Sequence, residues 1–258
     1  MMSSEDPRLT EDLERLVCEL CCSMYPDMLF PLSLVARRVQ SWLEPLRYRT
    51  VNADDYPRLL RVSRNKPAAF LGTAVRRVLL PVYCEGFGEL LRQCTGLRHL
   101  AVTTEARYVV DLRDIFPLLR LQRLALNITE FFPATAHPSL VPLATEATAF
   151  LPFLLLLPAL THLAYHHIVD GDAVRDLLGC PALEYLIRLT EYSSDALEIC
   201  QILQPTNDIR LVVCTYEDWF DGVLDGRTYW DVAEEFVAGK RAGRIALDRF
   251  FARSEGDQ

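Results

Sequence analysis

Between residues 75 and 214 the sequence repeats one spacing, apolar-x-x-apolar-x-apolar, six times. It reads Val75/Val78/Leu80, Leu97/Leu100/Val102, Leu121/Leu124/Leu126, Leu160/Leu163/Tyr165, Leu183/Leu186 followed by Arg188, and Ile209/Val212/Cys214. First residues are 22, 24, 39, 23 and 26 positions apart. Few folds accommodate such a constraint. A two-residue apolar alternation gives a short strand with one buried face, and a return after roughly 20 to 29 residues lays the next strand beside it. A single unit of this kind cannot bury its apolar side, so neighbours must stack to make a common core.

The segments between the apolar triplets fit that arrangement. FGELLRQ (87–93), DLRDIFPLL (111–119), DAVRDLL (172–178) and DALEICQIL (195–203) are short amphipathic runs, several opening on an aspartate suited to a helix start. Strand and helix therefore alternate in the manner of a leucine-rich repeat, which predicts an α/β fold. The one long gap holds an insertion of about 15 residues near 131–148, with Pro133, Pro138 and Pro142, which reads as a loop on one face. Irregularity is evident too: Glu105, Thr129 and Ile168 stand where such repeats place asparagine or cysteine. The pattern predicts that Leu100, Leu124 and Leu163 are buried, with their flanking residues exposed on one face of the sheet.

Before the repeats, residues 9–50 read as a compact helical unit. Leu13, Leu16, Val17 and Leu20 fall at i, i+3, i+4 and i+7, with Thr10 as N-cap and Glu11 and Asp12 in the first turn. After the break at Tyr25-Pro26-Asp27, Leu32, Val35, Ala36 and Val39 repeat the spacing, and Trp42, Leu43 and Leu46 predict a shorter third helix around Pro45. A unit of that size must pack on its neighbour or bind a partner. At the other end, residues 217–226 (EDWFDGVLDG) form an acidic loop, and Trp230, Ala233, Glu234, Phe236 and Val237 mark an amphipathic helix to Gly239 or beyond. Terminal repeats need a cover, and Trp219, Trp230 and Phe236 suit that role.

Charge is divided along the chain. The net of -8 is the sum of +3 over residues 1–129 and -11 over 130–258, and residues 37–123 carry 16 basic against 8 acidic side chains. That excess fits docking to an acidic protein surface. Nucleic acid is disfavoured because no recognition motif accompanies the charge. The acidic, polar start and the 12-residue limit of the longest apolar stretch, 149–160 with Pro152 and Pro158, argue against an export signal and a membrane span. A cytoplasmic or nuclear location follows as the expectation, with Cys18, Cys21, Cys22, Cys84, Cys94, Cys180, Cys200 and Cys214 as free thiols.

Reactive chemistry has no visible home. Only 11 glycines are present, and no phosphate-binding loop, dinucleotide fingerprint or nucleophile motif occurs. Cys18-x-x-Cys21-Cys22 lacks the second pair of a zinc site. His162 and His166 straddle a predicted strand and lie about 13 Å apart, too far to share an ion. Asp218, Asp221 and Asp225 do not match a calcium loop. The expectation is a chain that is not an enzyme and holds no cofactor and no metal.

LTEDLERLVCEL (9–20) and LFPLSLVARRV (29–39) resemble the opening helices of the F-box family, in particular the F-box-like proteins of mushroom-forming fungi. WLEPLRYRTV, CTGLRHLAV, LPALTHLAY, CPALEYL and DIRLVVC, in that order, are similar to recurring phrases of the same group. The resemblance implies an F-box-like bundle at 9–50, an irregular leucine-rich-repeat solenoid at 67–215 and a helical C-terminal cap at 216–258. It further implies a non-catalytic substrate receptor of a cullin-RING (SCF-type) ubiquitin ligase, or, alternatively, a repeat-type protein-binding scaffold with no ligase role. In the receptor the helices bind a Skp-type adaptor protein through Leu9, Leu13, Val17, Leu32, Val35 and Arg37, and the repeats select a client protein. Thr10, Asp12, Ala36 and Val39 depart from the family's proline, glutamate, cysteine and tryptophan at the matching positions.

Overall fold

The computed structural model describes residues 9–52, 55–80, 87–102, 115–127, 152, 154–166, 171–203, 206–215 and 228–252. Mixed α/β architecture is built on one open, fully parallel sheet of eight strands, ordered in space as in sequence. The strands are β1 Thr50–Val51, β2 Arg77–Leu80, β3 His99–Val102, β4 Arg123–Asn127, β5 His162–His166, β6 Tyr185–Thr190, β7 Leu211–Thr215 and β8 Phe251–Ala252. Register is continuous: Val51 pairs with Val78, and onward through Leu100, Leu124, Leu163, Leu186 and Leu211. The repeat spacing thus becomes a single apolar column, every member of which is buried.

At the starts of β1 to β5 one carbonyl accepts two backbone N–H groups from the next strand. Arg49, Arg76, Arg98, Gln122 and Thr161 supply these oxygens in turn. A shared acceptor at the same place in successive repeats fixes their stagger, so the side chains in one column cannot slip relative to each other.

Among the described residues, three helices precede the sheet, α1 Glu11–Met24, α2 Leu29–Ser33 and α3 Arg37–Leu43, and six follow β1 in the connections, α4 Tyr56–Asn65, α5 Ala68–Ala74, α6 Phe87–Gln93, α7 Gly171–Leu178, α8 Ser193–Leu203 and α9 Tyr229–Arg241. The predicted segments at 87–93, 172–178 and 195–203 are helical as expected, whereas that at 111–119 shows one 3-10 turn, Phe116–Leu118, among its described residues. Asp172 and Asp195 lie within the first turns of α7 and α8, where a carboxylate favours the positive end of the helix dipole. Helices α4 to α8 pack on the face carrying the leucine column, joining Leu59, Leu71, Phe87, Leu90, Leu91, Val174, Leu177 and Leu203 to Leu100, Leu124 and Leu163.

The opposite face departs from expectation. Leu79, Ala101, Ala125, Ala164, Ile187 and Val212 form the next register column, and they are buried, not exposed. Tyr229, Trp230, Ala233 and Val237 of helix α9 join the same buried cluster. The helix packs mainly over β6, β7 and β8. The C-terminal helix therefore lies across a face of the sheet, whereas the sequence reading placed it as a cap beyond the last repeat. Alanine in three successive strands leaves room for that helix to approach. Its start is fixed by a capping box: the Thr228 hydroxyl accepts from the backbone N–H groups of Trp230 and Asp231, and the Asp231 carboxylate accepts from the Thr228 N–H at 2.8 Å.

Two further expectations are corrected. The last repeat is shifted by one residue, since Leu211 and Val213, not Val212 and Cys214, face the leucine column. LVVC is apolar throughout and buried on both faces, so its alternation carried no register information. Asp208 takes the place of the leading leucine, and Arg210 spans its carboxylate (2.8 Å) and the carbonyls of Leu178 (2.6 Å) and Leu183 (3.0 Å). The predicted single helix through Leu32, Val35, Ala36 and Val39 is two helices, because the chain turns at Leu34–Ala36 and restarts at Arg37.

No helix among the described residues is long and apolar enough to cross a membrane. The insertion at 131–148, the acidic loop at 217–226, Trp219, His167 and Cys84 lie outside the described residues, as does the side chain of Leu80. The remaining seven cysteines are free.

Truncating the central column should be costly. Leu124→Ala, at a fully buried position, is expected to lower unfolding free energy by about 2–5 kcal/mol. Leu118→Ala, at an exposed position, should change it by less than about 0.5 kcal/mol, both read by chemical denaturation.

Candidate interaction surfaces

The helical unit has a small core of its own. Cys22, Val39 and Leu43 are buried, with Cys18, Leu29, Leu32, Ala36, Trp42 and Leu46 packed around them. An ion pair between Arg38 and Glu14, 2.7 Å apart, ties α3 to α1. The inward side of α1 thus carries Cys18 and Cys22. Its outward side is a stripe of larger apolar residues at helical spacing, Leu13, Leu16, Val17, Leu20 and Met24, preceded by Leu9. All are exposed, as are Met28, Phe30, Leu34 and Val35, the last at 71%.

Of the six adaptor-facing positions expected from sequence, Leu13 and Val17 share this stripe, and Leu9 precedes it. Val35 and Arg37 are exposed where the chain turns and α3 begins. Leu32 differs, being half-buried against the inner core. Leu16, Leu20, Met24 and Phe30 were not singled out for this role. The signal was available, since cysteines on the opposite side of α1 offered a second face to bury.

A polar cluster lies where α9 meets the sheet. Arg123 donates to Glu234 Oε1 at 2.5 Å, and His162 Nε2 lies 3.0 Å from the same oxygen, while His162 Nδ1 is 2.7 Å from the Thr161 hydroxyl. A neutral ring with its proton on Nε2 satisfies both contacts, donating to Glu234 and accepting from Thr161. Burial, followed by the Arg123 charge, pushes His162 down to about 4. The ring also stacks on Tyr185 at 4.3 Å and meets the edge of Trp230 at 5.8 Å.

Two of the cavities formed by the described residues lie at strand ends. One, of about 370 Å³, is lined by Tyr165, Arg188, Thr190, Tyr192, Asp195 and Glu198 among others. Arg188 is buried and sits 5.6 Å above the Tyr165 ring, whose hydroxyl has no hydrogen-bond partner among the described residues. The other, of about 400 Å³, lies at the starts of β1, β2 and β3 and is lined by Arg49, Arg76, Arg77, Arg98 and His99 with Pro45, Leu46 and Gln122. The described residues contain no group of three or more potential metal ligands.

No family model, curated protein or solved structure matches the chain.

The His162 geometry gives stability a defined pH dependence. Its folded value lies below the ordinary 6.5, so the unfolded chain binds the extra proton first as pH falls. The contribution is complete above about pH 6.5 and is lost on descent toward about 4. Denaturation midpoints measured from pH 7 to 4 should fall less steeply in His162→Gln, by the equivalent of about 1–3 kcal/mol.

Proposed function

We propose that the chain is a non-catalytic protein-interaction subunit: the substrate receptor of a cullin-RING (SCF-type) ubiquitin ligase, with an F-box-like module at 9–50, a leucine-rich-repeat solenoid at 67–215 and a helical element at 216–258. The observation that carries this reading is the exposed apolar stripe on α1 and the turn after α2. Exposed apolar patches of this kind mark contact surfaces for other proteins. Each leucine fully buried on binding contributes about 1.5–3 kcal/mol. A Skp-type adaptor is the partner assigned to that surface, through Leu9, Leu13, Val17, Val35 and Arg37. Leu32 supports it from beneath.

Support for the repeat reading comes from three features together. The strands run in sequence order, their apolar column recurs at 22, 24, 39, 23 and 25 residues from Val78 to Leu211, and helices α4 to α8 share one face. Stacked units joined only to their neighbours have this form. With both faces of the sheet buried, client recognition falls to the loops at strand ends. A cytoplasmic or nuclear location belongs to the same reading.

Co-expression of the full chain with a Skp-type adaptor tests it. Wild type should retain the adaptor on affinity capture, and Leu13→Asp/Val35→Asp should weaken retention more than about tenfold while leaving the melting temperature unchanged, since both side chains face solvent. No retention by wild type, or equal retention by the double variant, overturns the ligase reading in favour of a binding scaffold without that role.

A further inference from the structure

The cavity of about 370 Å³ lies where β5 and β6 end and α8 begins. Register sets its inner end. Tyr165 pairs with Arg188 across the two strands and Thr190 follows two residues on, so these side chains share the leucine face beyond Leu163 and Leu186. All three are buried. The outer end is a stripe of α8, where Asp195, Glu198, Ile199 and Ile202 fall at i, i+3, i+4 and i+7 and line the cavity together. Asp195, Glu198 and Ile202 are exposed, and so are Glu191 and Tyr192, which line the same mouth.

Each end lacks a partner, and the two differ in kind. The Tyr165 hydroxyl is fully buried and has no hydrogen-bond partner among the described residues, a costly state that few buried hydroxyls tolerate. Its residue lines the cavity, and that space is where a partner can enter. Local charge selects what kind: burial pushes the hydroxyl's pKa up, while the Arg188 charge pulls the other way and favours a negative oxygen at this spot. Arg188 donates to the Leu189 carbonyl at 2.6 Å and stands 5.6 Å over the Tyr165 ring. A hydroxyl in such a field makes its strongest bond by donating to an anionic oxygen. At the mouth, Asp195 and Glu198 are like charges one helical turn apart, an unfavourable pair. Asp195 accepts from the Ser194 hydroxyl at 3.1 Å, and neither carboxylate meets a cation among the described residues.

The cavity is therefore dipolar, with a cation at its buried end and carboxylates at its mouth, joined by the apolar wall of Ile199, Ile202 and Leu203. A complementary ligand carries an oxyanion at one end, a cation at the other and an aliphatic stem between them. A lysine or arginine that ends a polypeptide has this form, because methylenes separate its free carboxylate from its side-chain charge. The volume falls within the range of sites that enclose a small ligand or a ligand side chain. We propose that this cavity binds the C-terminal basic residue of a client protein, the carboxylate accepting from the Tyr165 hydroxyl and the side-chain cation lying between Asp195 and Glu198. The inference rests on the reading of the repeats as the client-binding part of the chain, and the stripe on α1 takes no part in it.

The test is fluorescence-anisotropy titration of the full chain with a short labelled glycine-serine peptide ending in lysine with a free carboxylate. Two companions are the same peptide as its C-terminal amide and the peptide with glutamine as its last residue. Wild type is expected to bind the lysine acid saturably and both companions about tenfold or more weakly, a comparison that needs no variant to fold. Tyr165→Phe, which removes only the unpartnered hydroxyl, should erase the preference for acid over amide. Asp195→Asn/Glu198→Gln should erase the preference for lysine over glutamine. Glu89→Gln/Asp176→Asn, which removes the same formal charge from exposed positions outside the cavity, should bind as wild type does. Adaptor retention is measured on the same preparations: peptide binding without it strikes the ligase reading alone, and retention without peptide binding strikes this inference alone. No saturable binding by wild type, an amide or glutamine peptide that binds as tightly as the lysine acid, or free lysine that binds more tightly than the peptide overturns the proposal.

Discussion

Parallel pairing in unbroken register is the constraint on which the rest of this molecule depends. Because each strand contributes one residue to the column running from Val51 to Leu211, every helix on that side meets the same kind of surface. The carbonyls of Arg49, Arg76, Arg98, Gln122 and Thr161, each taking two N–H groups, set the stagger from which the columns follow. The same stagger has a chemical by-product. Side chains one and two places before each column residue are also brought into rows, so cations spaced 22 residues apart in sequence become neighbours in space.

Alternation along the strands produces two quite different faces. On one, leucines meet several short helices contributed by the intervening chain. On the other, alanines meet one helix contributed from the far end. A sheet covered on both sides has little free surface at its centre, and contacts with other molecules move to the periphery. The exposed side of α1 and the basic cavity at the strand starts both lie there, and they differ in chemistry: one is apolar, the other lined by arginines.

Much of this was legible in the sequence because spacing encodes strand position directly. Leu100, Leu124 and Leu163 could be placed in the core from periodicity alone, and the helices at 87–93, 172–178 and 195–203 from their apolar faces. Legibility failed where the pattern was degenerate. At LVVC both faces are apolar, so either register satisfies the rule, and the choice is made by Asp208 and Arg210, whose hydrogen bonds reach back to Leu178 and Leu183. Between Leu32 and Val39 the apolar spacing is helical, yet the chain turns. Val39 there joins Cys22 and Leu43 while Val35 remains outside. The burial of Ala101, Ala125 and Ala164 was hidden for another reason: small residues are compatible with solvent or with a close helix, and which applies depends on a segment over 60 residues downstream. The basic cavity was visible only as an excess of charge over 37–123, since no local motif joins Arg49 to Arg98.

Helix α9 also sets the order in which the molecule can be completed. A repeat array of this kind gains its leucine face progressively as each crossover helix leaves the ribosome, because those contacts are local in sequence. The alanine face has no such supply. Leu79, Ala101, Ala125 and Ala164 must wait for Trp230, Ala233 and Val237, so a nearly finished chain still presents a wet apolar surface during synthesis. Closing that surface is a late, long-range event. Synthesis that ends before residue 229 therefore gives a product that lacks β8 and whose second side stays adhesive, an invitation to chaperones and proteases alike.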